Sequence, residues 1–272
     1  MSDEAFVVRY GSWAVVAGAS EGLGAAWAEA LAARGLNLVL FARRPEVLDA
    51  TAAAIRARHR VEVRTQAFDL AGSGFGPALE RLAGALEVGF GVFNAAHAPR
   101  GPFLDLSLED QLRSVDVNCR GPLTMAHVLG RRMAARGRGG LVFMSSLSAF
   151  HGSPFIATYG ATKAFNLVLG ESLWFELQTR GVDVLACAAG ATRTPGFLQA
   201  SPHGEPGTIE PAQVVEEALG KLGRAGVMIP GRFNRFASFL MRRVFPRGTA
   251  VGILGNRTRN LTLPPSATRS SR

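Results

Sequence analysis

Short apolar runs alternate along this chain with stretches of helical composition, and that alternation leaves few folds open. The run at 12–17, SWAVVA, leads into GASEGLG and then AAWAEALAARG, whose alanine and leucine favour helix and whose closing glycine stops it. NLVLFA at 37–42 precedes a helix to about residue 58, VEVRTQAF at 61–68 a helix near 75–86, and GFGVFN at 89–94 a long helical stretch ending near Arg136. GGLVFMSS at 139–146 precedes a helix over roughly 156–180. VDVLACAA at 182–189 and GVMIP at 226–230 flank a helix around PAQVVEEALGKLG, whose proline suits a first helical turn. This order predicts an α/β fold with a doubly wound parallel sheet of about seven strands and helices on both faces. Apolar runs such as LVLFA fit a sheet buried on both sides, and right-handed crossovers put the carboxyl ends of the strands, and the ligand, along one edge.

Length and composition bound the rest. The 272 residues suit one catalytic domain over 1–255, with NRTRNLTLPPSATRSSR at 256–272 read as a flexible basic tail because it has no periodicity able to bury a face. With 47% hydrophobic and 19% charged residues and scattered glycines, the chain is neither disordered nor collagen-like. It has no apolar stretch of about 18 residues and starts on acidic residues, so a cytoplasmic enzyme is expected. Cys119 and Cys187 lack metal-ligand spacing, so buried free thiols are expected and no metal site. The net charge of +9 comes from arginines spread along the chain without a nucleic-acid-binding motif, which points to an anionic cofactor and an anionic substrate as partners, not nucleic acid.

Gly18, Gly22 and Gly24 follow a strand and open a helix, where missing side chains let the backbone turn tightly and approach a pyrophosphate at the positive end of the helix. Plain packing is the competing account of such glycines. At the end of the second strand, where a carboxylate would bind the adenosine 2′-hydroxyl of NAD, stand Phe41, Ala42, Arg43 and Arg44. Two arginine forks favour a 2′-phosphate, hence NADP(H) over NAD(H); solvated surface charge is the alternative.

In YGATK, Tyr159 and Lys163 are four residues apart and share a helix face. A phenol with a pKa of about 10 is a poor base at neutral pH, and a neighbouring ammonium is expected to lower it. The chain has only two tyrosines, Tyr10 and Tyr159, and its two lysines are Lys163 and Lys221 among 30 basic residues, so a compact ammonium here points to chemistry that guanidinium would not reproduce. Ser146 ends a predicted strand upstream, positioned to donate to a carbonyl oxygen, while strand alternation directs Ser145 elsewhere.

Together the G-x-x-x-G-x-G loop, Ser146, Tyr159 and Lys163 resemble the short-chain dehydrogenase/reductase family, over roughly residues 12 to 230. The resemblance implies a Rossmann-like fold and hydride exchange between a ketone or secondary alcohol and a nicotinamide cofactor. It implies that Tyr159 is the acid/base, that Lys163 and Ser146 assist, and that Asn118 positions a relay water. It assigns Ser20 and Leu23 in the glycine loop, Asp69 and Leu70 after the third strand, Asn94, Ala95 and Ala96 after the fourth, and Gly190, Thr192 and Thr194 after the sixth to the cofactor, with Tyr159 and Lys163. Three departures stand out: Glu21 lies where a basic residue is common in NADP(H) enzymes, His97 replaces the glycine of Asn-Asn-Ala-Gly, and Ala189 replaces a proline. His97 is open to hydrogen bonding, titration or simple space filling.

The pattern is similar to ketoacyl reductases and hydroxysteroid dehydrogenases, so a hydrophobic ketone on a lipid, polyketide or steroid-like skeleton is expected, selected by residues 195–210 and 230–250. Redox-neutral epimerisation or dehydration, and a non-catalytic NADP-binding regulator, are the rivals. The stretch from Arg232 to Val244 has helical amphipathic spacing with four arginines and is open to three roles: lid, oligomer contact, or peripheral membrane contact. Helices at 107–135 and 156–180 resemble those that pair subunits in this family, implying a homodimer or homotetramer.

Overall fold

The computed structural model describes residues 3–262 apart from residue 202. Eighteen of its regular elements matter here. In chain order they are α1 (Asp3–Tyr10), β1 (Trp13–Ala17), α2 (Gly22–Ala33), β2 (Asn37–Ala42), α3 (Pro45–Arg58), β3 (Val63–Ala67), α4 (Phe75–Ala85), β4 (Val88–Phe93), α5 (Leu108–Val115), α6 (Gly121–Arg136), β5 (Gly139–Ser146), α7 (Ala157–Gln178), β6 (Val182–Ala189), α8 (Pro195–Ala200), α9 (Pro211–Lys221), β7 (Val227–Met228), α10 (Arg232–Arg243) and α11 (Arg247–Thr262). The strands form one seven-stranded sheet in the order β3-β2-β1-β4-β5-β6-β7, parallel throughout, as the alternation predicts.

The strand order reverses between β1 and β4, so the loops leaving their carboxyl ends diverge to opposite sides and leave a crevice there. Ala17 pairs with Phe93, Phe93 with Phe143, and β5 continues three residues further to pair Ser146 with Ala189. Ser146 therefore projects beyond the body of the sheet on the ligand edge. Both faces are packed: Trp27, Leu31, Leu40, Phe90 and Leu185 belong to one core layer, Val15, Phe41, Phe93, Leu129 and Phe143 to the other. This is why β1 and β4 are wholly buried, and why they read as unbroken apolar runs.

Three features differ from the sequence expectation. The acidic start is helix α1, which lays Phe6 and Tyr10 on Phe90 and ties Arg9 and Tyr10 to Asp183. The outer strands β3 and β7, each with a neighbour on one side only, are shorter than the runs expected at 61–68 and 226–230. The third is a correction to the basic tail: α11 continues to Thr262, past the expected boundary at 256. Ala250 is buried, Gly255 abuts Pro154, and Arg257 pairs with Glu205, so polar residues extend a helix whose contacts are tertiary. Residues 263–272 of that expected tail lie outside the described residues. No helix among the described residues is long and apolar enough to cross a membrane.

Candidate active site

The glycine loop is shaped by contact. Gly18 has φ +83°, and a Cβ there would sit 2.6 Å from the Ala95 backbone; at Gly24 it would lie 1.8 Å from the Gly18 carbonyl oxygen. The Asn94 amide donates to that same carbonyl at 2.9 Å, fastening the end of β4 to the loop. Beside it opens a cavity of about 560 Å³ lined by Gly18, Ser20, Gly22, Leu23, Arg43 and Arg44 on one side. Asp69, Leu70, Asn94, Ala95, Ala96 and Thr194 line the other. Gly24 stands behind, as the contact that lets α2 begin against the loop. His97 also reaches this cavity.

Charge at the far end is largely paired. Arg44 meets Glu21 at 2.8 Å, and Arg113 grips both oxygens of Asp69 at 2.9 and 2.8 Å. Partial burial opposes ionisation of Asp69, but the Arg113 hydrogen bond and the Ala71 N–H outweigh it and hold the carboxyl below its ordinary range. Arg43 makes no ion pair among the described residues. Arg113 escaped the sequence reading because nothing local links position 113 to position 69; only the packing of α5 across the sheet edge does.

Tyr159 lies in the first turn of α7 and Lys163 one turn later. The Ser146 hydroxyl lies on the Tyr159 side of the cavity wall, and Ser146 Oγ accepts from the Ser148 N–H at 3.2 Å. Ser145 points away, donating to the Lys163 carbonyl at 2.7 Å and so pinning β5 to α7. Lys163 is buried, its Nζ donating to the Met144 carbonyl at 2.8 Å and lying 5.6 Å from the centre of the Tyr159 ring. Burial brings its pKa down to about 8. One expectation is corrected: Tyr159 sits above its ordinary pKa, not below it. Burial dominates; the Ser146 hydrogen bond and the Arg100 charge pull the other way, while the Lys163 ammonium is turned to a backbone carbonyl.

The expected long helix is interrupted at Asp116–Arg120 by a π-helical turn that carries Asn118. Asn118 is fully buried; its Oδ1 accepts from the His97 N–H at 2.8 Å, and its Nδ2 donates to the His97 carbonyl at 2.8 Å and to Thr162 Oγ1 at 2.9 Å. These bonds clamp the loop after β4 to α7. They also show how histidine is accommodated at 97: the clamp holds its backbone, and the ring turns to Asp110 at 3.0 Å.

A second cavity of about 620 Å³ adjoins the first, sharing Ala96, Thr194 and Gly196 with it, and Ser146 and Tyr159 stand in its wall. Gly190 lines this cavity and not the first; Thr192 is buried and bridges to Ile209. The predicted amphipathic helix is α10, whose Phe233, Ala237 and Met241 face the cavity while Phe236 is 61% exposed. Asn234, unnoticed in the sequence, is buried between them and donates to the carbonyls of Gly207 and Pro230 at 3.0 and 3.2 Å, holding the wall together. A lone amide on the apolar side of an amphipathic stretch was its only signal.

A model of the short chain dehydrogenase family matches residues 12–203. The chain is 33% identical over 233 residues to the 7beta-hydroxysteroid dehydrogenase of Collinsella aerofaciens, covering 84% of this chain and 89% of that one. It is 35% identical over 227 residues to the very-long-chain 3-oxoacyl-CoA reductase of Podospora anserina, covering 79% of this chain and 64% of that one. Among solved structures, a 7beta-hydroxysteroid dehydrogenase superposes with a TM-score of 0.87 at 30% identity, over 92% of this chain and 98% of the other. A short-chain dehydrogenase from Sphingobium yanoikuyae in complex with NADPH superposes with a TM-score of 0.73 at 28% identity, over 96% and 98%. The fold, the alignment across most of the chain and the family model agree: the chain belongs to the short-chain dehydrogenase family, as an oxidoreductase of CH–OH and C=O groups that resembles hydroxysteroid dehydrogenases and ketoreductases.

Proposed function

We propose that this enzyme interconverts a ketone and a secondary alcohol on a hydrophobic skeleton, with NADP(H) preferred over NAD(H). The observation that carries the reading is that Ser146 and Tyr159 both stand in the wall of a cavity that shares Ala96, Thr194 and Gly196 with the first. The first cavity suits a dinucleotide, since Gly18 and Gly24, where a side chain would collide with the Ala95 backbone and the Gly18 carbonyl, let the loop close tightly beside the start of α2. Gly18, Ser20, Gly22, Leu23, Asn94, Ala95, Ala96 and Thr194 would hold it, with Asp69 and Leu70 toward the adenine and Arg43 and Arg44 toward a 2′-phosphate. Bound there, the nicotinamide supplies or takes up a hydride.

The protein's own residues handle the oxygen. Ser146 donates a hydrogen bond to the carbonyl oxygen as charge develops, and the Tyr159 phenol gives it a proton; in the oxidative direction Tyr159 takes the proton back. A phenol held above its ordinary pKa stays protonated at neutral pH and so stands ready as the acid in the reductive direction. Lys163, still protonated below about pH 8, holds the Met144 carbonyl with its Nζ 5.6 Å from the Tyr159 ring centre, and with the dinucleotide bound it would turn to the ribose and to the phenolate left behind. Asn118 is a positioning residue, since its side-chain bonds fix the 97 loop against α7.

Leu147, Phe150, Ile156, Phe197, Phe233 and Met241 in the second cavity favour an apolar substrate, and α10 serves as its lid. Val168 and Phe175 on α7 and Leu108 and Leu112 on α5 are exposed, which supports a homodimer or homotetramer through these helices. Two free cysteines fit a cytoplasmic setting. The test is NADPH and NADH binding by fluorescence, then absorbance at 340 nm with hydrophobic ketones. Turnover by the wild type that falls at least about a hundredfold in Tyr159→Phe supports the mechanism; NADPH binding without consumption by any ketone overturns it.

A further inference from the structure

The second cavity is apolar over most of its wall, which makes its few charged residues informative. Arg100, His151, Glu205 and Arg257 are the titratable groups in that wall besides Tyr159. Arg257 and Glu205 form an ion pair and cancel. Burial, followed by the neighbouring Arg247, depresses His151 below its ordinary value, so it is neutral at pH 7. Arg100, exposed at the edge of the wall, makes no ion pair among the described residues, so among the residues that line the cavity it carries the one uncompensated positive charge.

That charge has a fixed base. The next residue, Gly101, has φ +150° and donates its N–H to the Phe155 carbonyl at 2.9 Å. Phe155 is itself the one non-glycine residue with positive φ among those described, at +65°, a conformation that costs a bulky side chain energy and persists only where surrounding contacts hold it. Arg259 on α11 lies over its ring at 5.5 Å from the centroid. The loop bearing Arg100 is thus strapped to the segment after Ser146, and its charge reaches the Tyr159 hydroxyl.

We propose that Arg100 forms an anion subsite in the substrate cavity, and that the preferred substrate is a ketone or secondary alcohol on an apolar skeleton bearing one carboxylate or comparable anionic group. This rests on the reductase reading for its chemistry, but the subsite is testable apart from it. A charged acceptor meeting a guanidinium over an apolar wall is bound more strongly than its neutral isostere, by about tenfold or more.

The experiment compares oxodecanoates that differ in ketone position with their methyl esters, for wild type, Arg100→Gln and Arg100→Lys. The acid-to-ester ratio of kcat/KM cancels any effect of Arg100 on Tyr159, since both substrates meet the same phenol. The expected result is a ratio of about ten or more in the wild type, near one in Arg100→Gln, and partly restored in Arg100→Lys. An unchanged ratio in Arg100→Gln, with ketones still reduced, overturns the subsite and leaves the reductase reading standing. In parallel, calorimetry measures decanoate and decanamide binding to the wild type and Arg100→Gln. Selective loss of decanoate affinity upholds the subsite even if no ketone turns over; equal affinities for the two proteins overturn it.

Discussion

Replacing Lys163 with Met separates what the ammonium does for chemistry from what it costs the fold. The side chain is buried and its pKa falls from 10.5 to about 8, so near neutral pH the folded protein holds a charge it would rather shed. At about 1.4 kcal/mol per pH unit, that fall represents about 3 kcal/mol of destabilisation at neutral pH. Met keeps the length and removes the charge, but leaves the Met144 carbonyl without its donor, at a cost of about 1–3 kcal/mol. The two nearly offset, so the variant should be about as stable as the wild type, or more so by up to about 2 kcal/mol, while turnover falls at least about a hundredfold. The pH dependence is the sharper test. The folded protein releases this proton near pH 8 and the unfolded chain near 10.5, so between those values the unfolded state binds more protons and wild-type stability rises with pH. Relative to the variant, the wild type should gain about 2 kcal/mol between about pH 7 and about pH 9.5. Urea unfolding of the two ligand-free proteins at both pH values measures this; a difference that does not change with pH would refute the buried-ammonium argument.

Other consequences follow from the paired charges and the exposed faces. Arg43→Ala should weaken NADPH binding by about tenfold and NADH binding little, whereas Glu21→Gln, by releasing Arg44, should tighten NADPH; equal effects on both nucleotides in a fluorescence titration would contradict the assigned 2′-phosphate contact. Phe175, 71% exposed on α7, should contribute to a subunit contact, so Phe175→Lys should lower the mass found by light scattering at a given concentration. A wild-type monomer would remove that reading.

Much of the fold was legible because it follows from local rules. Strands buried on both faces must be apolar without interruption, the helices between them must show periodicity, and a parallel sheet must be completed by crossovers, so the order of elements implied the sheet. The glycine loop was legible for a similar reason: at Gly18 and Gly24 a side chain collides with backbone. Ser146, Tyr159 and Lys163 were found through spacing along one strand and one helix turn. What the chain order does not carry is partnership between distant residues. Glu21 is spent on Arg44 and Asp69 on Arg113, and the burial of Tyr159, with the Lys163 ammonium committed to Met144, inverted the expected direction of the Tyr159 pKa. The extent of α11 was likewise hidden, because its polar end is held by Glu205, some fifty residues away in sequence. Periodicity and glycine sterics are properties of a segment and its own backbone, so the sequence by itself determined the architecture and singled out the candidate reacting side chains. Burial and charge pairing are sums over neighbours that only the folded chain assembles, so the tertiary structure alone decided the protonation balance at Tyr159 and Lys163 and the charge left unpaired in the second cavity.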